Sequence, residues 1–231
     1  MIIIIVAIIV ITGLVLGLYF GLRKSSCDGI SIVQWNIEWE ACTDTEKFNN
    51  QLAKWKDMDF ITTQECTEDL TTTMNKVTCQ IDKDQLTIYY NTKWTLTSKG
   101  ECVSLGNDLD PDRLATIATF QGPDQTVNVI NVHLPHIGAE ENVMSGLSKL
   151  TIPSADLTIM AGDFNREQTD STFKEIQSKF NLQTSSGGKT CCTDNGFSVE
   201  YDHILATKPI SISVNKSNLS DHKPVIGCIR F

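Results

Sequence analysis

The stretch Leu157-Thr158-Ile159-Met160-Ala161-Gly162-Asp163-Phe164-Asn165 decides the fold. Its first five residues form a short apolar run, typical of a strand covered on both faces, and the run stops at a glycine, a carboxylate and an amide. Working outward, the same design recurs. Strand candidates are Ile30–Trp35, Phe60–Gln64, Leu86–Tyr90, Leu114–Phe120, Val127–His133, Leu157–Ala161, His203–Ala206, Ile210–Val214 and Pro224–Ile229, rich in Ile, Val, Thr and aromatic residues. Helix candidates are Thr45–Lys56, Glu140–Leu150 and Ser171–Phe180; in the first, Phe48, Leu52 and Trp55 share one face. Many strands with few helices predict an α/β fold, a four-layer sandwich of two packed mixed β-sheets flanked by helices.

The polar residues fall at strand ends: Trp35-Asn36-Ile37-Glu38, Thr63-Gln64-Glu65, Asn131-Val132-His133, Gly162-Asp163-Phe164-Asn165, Glu200-Tyr201-Asp202 and Ser220-Asp221-His222. Strands lying side by side would gather these ends on one rim of carboxylates, amides and two histidines, without cysteine. Such a rim suits a hard cation: Mg²⁺, Mn²⁺ and Ca²⁺ prefer oxygen ligands, and Mg²⁺ takes only one or two protein carboxylates. Water and phosphate oxygens fill the other positions, which is the composition of metal-assisted phosphoryl hydrolysis. Singly, each residue has an ordinary reading. Glu65 and Asp84 are then solvated strand-end charges, Asn36 and Asn165 turn residues, His133 a core histidine and Arg113 half of a surface ion pair. Their joint placement at strand ends is what argues otherwise. His136 and His203 stand outside this set.

The chain has 231 residues and a net charge of -9, from 19 Lys and Arg against 28 Asp and Glu. Nucleic-acid binding through bulk positive charge is therefore disfavoured, and phosphate chemistry needs a metal ion or a few placed cations. The length fits one domain of about 200 residues plus an appendage. That appendage is Ile2–Leu22, an uncharged run that as a helix reaches about 31 Å, enough to span a bilayer core. The expected organisation is a membrane anchor over residues 1–24 and a catalytic domain over 25–231. A cleaved signal peptide is the rival, disfavoured by the uncharged start and by Arg23-Lys24-Ser25-Ser26 in place of small residues at a cut. Gly13, Gly17 and Gly21 share one helix face and allow close homodimer packing. Arg23 and Lys24 favour a cytoplasmic domain. Eight cysteines beyond the anchor, and the acceptor patterns at Asn215 and Asn218, favour an extracytoplasmic one. There is no Cys-x-x-Cys, so a structural zinc site is not expected.

The ordered set Trp35-Asn36, Gln64-Glu65, His133, Gly162-Asp163-Phe164-Asn165, Tyr201-Asp202 and Ser220-Asp221-His222 resembles the endonuclease/exonuclease/phosphatase superfamily, across essentially all of the chain beyond the anchor. Within it the chain is most similar to the deoxyribonuclease I branch, through Gly106-Asn107-Asp108, then Asp112-Arg113 before a strand. The resemblance implies Glu65 as main metal ligand, with Asn36 and Asp221 completing the cation's surroundings. It implies His133 as general acid toward the leaving oxygen. His222 would take the proton of the attacking water or bind phosphate, held by Asp202. Asp163 would orient the water or bind a second ion, while Asn165 and Arg113 would hold phosphate oxygens. Asp84 would support His133.

The implied activity is hydrolysis of DNA phosphodiester bonds with Mg²⁺, or with Mn²⁺ or Ca²⁺. Two features depart from that branch. Glu38 stands where a DNA-contacting arginine is expected, and Cys102 has no second cysteine closing a small loop after it. Sphingomyelin-type lipid phosphodiesterases belong to the same superfamily, and an anchor would hold such an enzyme beside its substrate. An inactive binding protein on the same fold is the third alternative.

Overall fold

The computed structural model describes residues 27–136, 140–192 and 196–231. Ile2–Leu22, with Gly13, Gly17 and Gly21, lies outside the described residues. Among the described residues no helix is long and apolar enough to cross a membrane.

Twelve strands and three α-helices are described: β1 Ile30–Asn36, α1 Thr45–Ala53, β2 Phe60–Gln64, β3 Asn75–Ile81, β4 Asp84–Tyr90, β5 Thr95–Lys99, β6 Val103–Ser104, β7 Leu114–Gln121, β8 Thr126–His133, α2 Glu140–Leu147, β9 Leu157–Asp163, α3 Ser171–Phe180, β10 Asp202–Ala206, β11 Ile210–Val214 and β12 Val225–Ile229. They form two mixed six-stranded sheets. One runs β11-β12-β1-β2-β4-β3; the other runs β10-β9-β8-β7-β5, with β6 paired to β7. Each sheet has one parallel pair at its centre, β1 with β2 and β8 with β9.

The period-two alternation of strand side chains builds the layers. In β1, Ile30 and Ile32 face the opposite sheet together with Phe60 of β2, and there they meet Phe120, Val129 and Ile159. Val33 and Trp35 face outward and are covered by Phe48 and Leu52 of α1 and by Trp55. In the second sheet Ile130, Val132 and Met160 face outward, under Val143 and Leu147 of α2 and Phe173 and Ile176 of α3. Helix, sheet, sheet, helix is the expected four-layer order.

Strands β3, β5 and β6 were not among the strand candidates. The first two are sheet-edge strands with largely exposed side chains, so no apolar run marks them; β6 has only two residues. Helix α3 runs as expected from the sequence. Asp170 caps it by accepting from the Thr172 and Phe173 amides, and Asn181 ends it in the left-handed region. Cys102 is not left without a partner: it pairs with Cys79 on β3, upstream rather than downstream. Cys27–Cys228 and Cys42–Cys66 are two further pairs, and Cys191 pairs with its neighbour Cys192. The Cys27–Cys228 pair spans 201 residues; on a chain-entropy account, closing a loop of that size stabilises by about 5 kcal/mol.

Candidate active site

Strand direction gathers the polar ends. Parallel β1 and β2 set Asn36 opposite Gln64, the residue before Glu65, and parallel β8 and β9 set His133 opposite Asp163. Antiparallel β10 sets Asp202 opposite Asp163. Strand β7 begins opposite His133, directly after Arg113. The result is one polar edge at the carboxyl ends of the four central strands.

Asp163 is the hub of that edge. Its Oδ2 accepts from Asn36 Nδ2 at 3.1 Å and lies 3.6 Å from both His133 Nε2 and His222 Nε2. Its Oδ1 accepts from the Asn165 amide at 2.8 Å. Each imidazole is held from behind by its own aspartate: His133 Nδ1 lies 2.7 Å from Asp84 Oδ2, and His222 Nδ1 lies 2.8 Å from Asp202 Oδ2. Glu65 Oε1 is 3.5 Å from His133 Nε2, and Asp221 Oδ1 is 3.8 Å from His222 Nε2. The Arg113 guanidinium lies 3.9 to 4.0 Å from Asp84, Glu65 and Asp110. All ten residues singled out from the sequence thus stand at one edge. Asn165 gives one amide proton to Leu134 O at 2.8 Å, leaving the other to face the site. His136 is exposed beside Asp110, and His203 is buried behind the edge.

Two of these residues have left-handed backbone, Glu65 at φ 59° and Asn165 at φ 48°. Asparagine adopts that region readily; for glutamate it is strain of about 1–3 kcal/mol, a feature that clusters at functional sites.

Charge and burial oppose each other here. Burial disfavours the His222 imidazolium, but the Asp202 and Asp163 carboxylates and the Asp202 hydrogen bond outweigh it and push the pKa up to about 10. His133 follows the same pattern: burial pulls its pKa down, and Asp84 more than reverses this by charge and hydrogen bond. Burial of Asp163 favours its neutral form, yet the two histidines and the Asn165 and Asn36 donors hold its carboxyl below the usual range. Glu38 is raised, by burial first and then by the charge of Asp221.

Does this edge fit a divalent cation? The donors are carboxylate and amide oxygens, Glu65, Asp163, Asp221 and Asn36, with Glu38 against Asp221 at 3.3 Å through the latter's amide. His133 Nε2 is buried and unpartnered, facing this oxygen-rich space. The chemistry fits Mg²⁺, Mn²⁺ or Ca²⁺. The carboxylates do not close on one point, however. Among the described residues the group of three His, Cys, Asp or Glu ligand atoms within 4.8 Å of one another is Cys191, Cys192 and His222. The expectation of a rim without cysteine is therefore corrected: both sulfurs face His222, because the segment after Thr190 pairs with Val199 beside the edge.

Several residues to which the sequence assigned no role support the edge. Gln64 Nε2 donates to Gln34 Oε1 at 2.9 Å and to Asn131 Oδ1 at 2.7 Å, joining the two sheets beneath the site. Gln34 Nε2 reaches Asp202 at 3.2 Å, and Asn131 donates to the Thr63 and Thr87 carbonyls. Trp35 Nε1 donates to His222 O, and Thr190 Oγ1 accepts from the Asp202 amide. The available signal was Gln34 and Asn131, amides at inward positions of otherwise apolar strands, where burial demands a partner. Beside Asn165 a cavity of about 250 Å³ opens, lined by Arg166, Glu167, Val199 and Tyr201 among others.

His203 is a separate, structural case. Burial holds its pKa down; Nε2–H donates to Arg166 O at 2.8 Å, and the ring packs on Phe173. A depressed pKa means the unfolded chain binds the proton more readily, so this contribution is intact above about pH 6.5 and is lost as pH falls through the lower folded value. We expect the wild type to lose more Tm than His203→Gln between pH 8 and pH 5; equal losses would contradict the assignment.

No family model matches the chain, and no curated protein matches its sequence. Solved structures do match. A Bacteroides vulgatus endonuclease/exonuclease/phosphatase superposes with TM-score 0.72 at 16% identity, covering 87% of this chain and 98% of that one. The Bacteroides thetaiotaomicron mannosyl-6-phosphatase Bt3783 gives 0.67 at 19%, covering 87% and 100%. D. rerio TDP2 complexed with a single-strand DNA product gives 0.67 at 12%, covering 88% and 100%. The fold is that of the endonuclease/exonuclease/phosphatase superfamily. Within that fold the neighbours range over phosphatases and nucleases, and they do not single out the deoxyribonuclease I branch.

Proposed function

We propose that the chain is a divalent-metal-dependent phosphodiesterase, most like a deoxyribonuclease I-type endonuclease hydrolysing DNA. The observation that carries the reading is Asp163 standing 3.6 Å from two imidazoles, each backed by its own aspartate. Glu65, Asn36 and Asp221 would hold the cation, Mg²⁺ or else Mn²⁺ or Ca²⁺, which when bound offsets negative charge developing on the phosphate. Asp163, kept ionised by its neighbours, orients the attacking water. His133, favoured in its charged form by Asp84, donates a proton to the leaving oxygen. His222, charged at neutral pH, binds a phosphate oxygen rather than taking a proton. Arg113 and the free amide proton of Asn165 stabilise the remaining phosphate oxygens. A complete set of this kind argues against an inactive binding protein.

DNA as substrate draws support from a solved relative in fold, TDP2, that holds a DNA product. Glu38 on the edge opposes a duplex backbone, so short or single-stranded substrate fits better. The second reading is a lipid phosphodiesterase, favoured by the uncharged Ile2–Leu22 run, which we assign as a single-pass membrane anchor. The catalytic domain then lies on the extracytoplasmic side, where pairs such as Cys27–Cys228 persist, and Gly13, Gly17 and Gly21 offer a homodimer contact. The test is one full-length sample assayed on plasmid DNA, single-stranded DNA, RNA and sphingomyelin vesicles. DNA cleavage should fall at least about 10²-fold on chelation and return with Mg²⁺ or Mn²⁺. Cleavage undiminished in excess EDTA removes the metal. Phosphocholine release without DNA cleavage transfers the site to lipid.

A further inference from the structure

The chain enters the domain at the end opposite the catalytic edge. Strand β1 runs from Ile30 to Asn36, so the edge lies at its far end. Strand β12 returns beside it, with Ile229 level with Ile30 and Cys228 level with Ser31. The Cys27–Cys228 pair, its Cα atoms 5.5 Å apart, therefore fixes Cys27 near the entry end. From Ser31 to Asn36 the strand rises about 17 Å. From Lys24, the last residue assigned to the anchor, to Cys27 there are three chain steps, which fully extended reach about 11 Å. Turning the domain over, so that the edge met the bilayer, would lift Cys27 further from the headgroups than that tether allows. Laid on its side, the domain still opens its edge to water alongside the bilayer.

We infer that the catalytic edge faces away from the bilayer that holds the anchor, so the hydrolase takes a water-soluble phosphodiester and not the lipid headgroups of its own membrane. The placement rests on the anchor assigned above, and the substrate statement on the hydrolase reading. An anchor serves a lipid hydrolase only where the site can reach a headgroup phosphate. Here the anchor retains the enzyme at a surface without bringing lipid to the edge, and a soluble nucleic-acid strand meets that edge freely. The Cys27–Cys228 pair keeps the tether short. Without it the chain from Lys24 to Ile30 could reach about 22 Å, more than the rise of about 20 Å along β1. The pair is stable on the extracytoplasmic side assigned to the domain.

The test uses the full chain in phosphatidylcholine vesicles that contain sphingomyelin and some lipid with a nitroxide on its headgroup, a quencher that acts only at short range. One sample carries a fluorophore at Phe231, 63% exposed beyond the entry end of β12, and another at Leu109, 82% exposed in the loop before Arg113. Both positions lie outside the catalytic set. Emission at residue 231 should lose most of its intensity, and emission at residue 109 should lose little. A flexible insert of about 20 Gly and Ser residues after Lys24, spanning about 25 Å, should narrow that difference. Equal quenching at the two positions without the insert, or stronger quenching at residue 109, overturns the placement. Protein that alkaline carbonate washes off the vesicles overturns it too, and removes the anchor as well. At a dilution where vesicles rarely meet, hydrolysis of a soluble oligonucleotide supports the substrate half, and phosphocholine release from the enzyme's own vesicles overturns it. If neither is cleaved, the quenching still decides the placement, and only the hydrolase reading falls.

Discussion

Alanine at Asp163 or at His133 is expected to lower the rate of phosphoester hydrolysis by at least about 10²-fold each, the scale on which removal of a placed acid or base acts. Asp163 carries the larger loss. It touches Asn36, His133 and His222 and caps the Asn165 amide, so its removal disorients water, both imidazoles and the phosphate-facing amide together. Because these residues act as a unit, the double variant should be only slightly slower than Asp163→Ala, not slower by the product of the two losses. Asp163→Asn separates charge from shape, since it keeps the size and one of the two accepting oxygens while removing the carboxylate facing two imidazoles. Near wild-type turnover in both alanine variants, in protein that melts normally, would withdraw the assigned roles.

Gly162→Ala is expected to be strongly damaging although the residue lies outside the catalytic set. A Cβ at residue 162 would stand 1.9 Å from Val132 O and 2.7 Å from Val132 Cγ2. The first of these is backbone in the central parallel pair of the second sheet, so no side-chain rotation relieves it. The strands must part at the point where His133 faces Asp163. We expect a loss of at least about 3 kcal/mol, read as a drop in urea midpoint, with hydrolysis falling as the two side chains lose register. Gly188→Ala serves as contrast: nothing lies within 4 Å of its Cβ, and only its φ of 107° opposes the change. A Gly162→Ala protein as stable as wild type would show that the pair tolerates far more separation than its hydrogen bonds allow.

Much of the fold was legible because its signal is local. Nine strands show as apolar runs, and Phe48, Leu52 and Trp55 mark the buried face of α1 without reference to anything distant. Edge strands β3 and β5 were not legible, since half-exposed strands are held by a neighbour rather than by their own hydrophobicity. The catalytic candidates were legible as a list of strand-end polar residues. Their partnering was not legible from local pattern: that Asp84 serves His133 and Asp202 serves His222 came only from the family resemblance, because it depends on which strands are neighbours. The Gln34–Gln64–Asn131 bridge was hidden for the same reason.

The amino-acid order by itself determined the two-sheet architecture, the acidic balance and the identity of the ten edge residues, since alternation and strand-end chemistry are properties of contiguous residues. Tertiary structure alone decided that Asp163 is the centre and that Cys102 pairs with Cys79. It alone decided that Cys191 and Cys192 sit against His222, 30 residues or more away in the chain. Distances of 3 to 4 Å between residues so far apart are set by strand order and register, which no local stretch encodes.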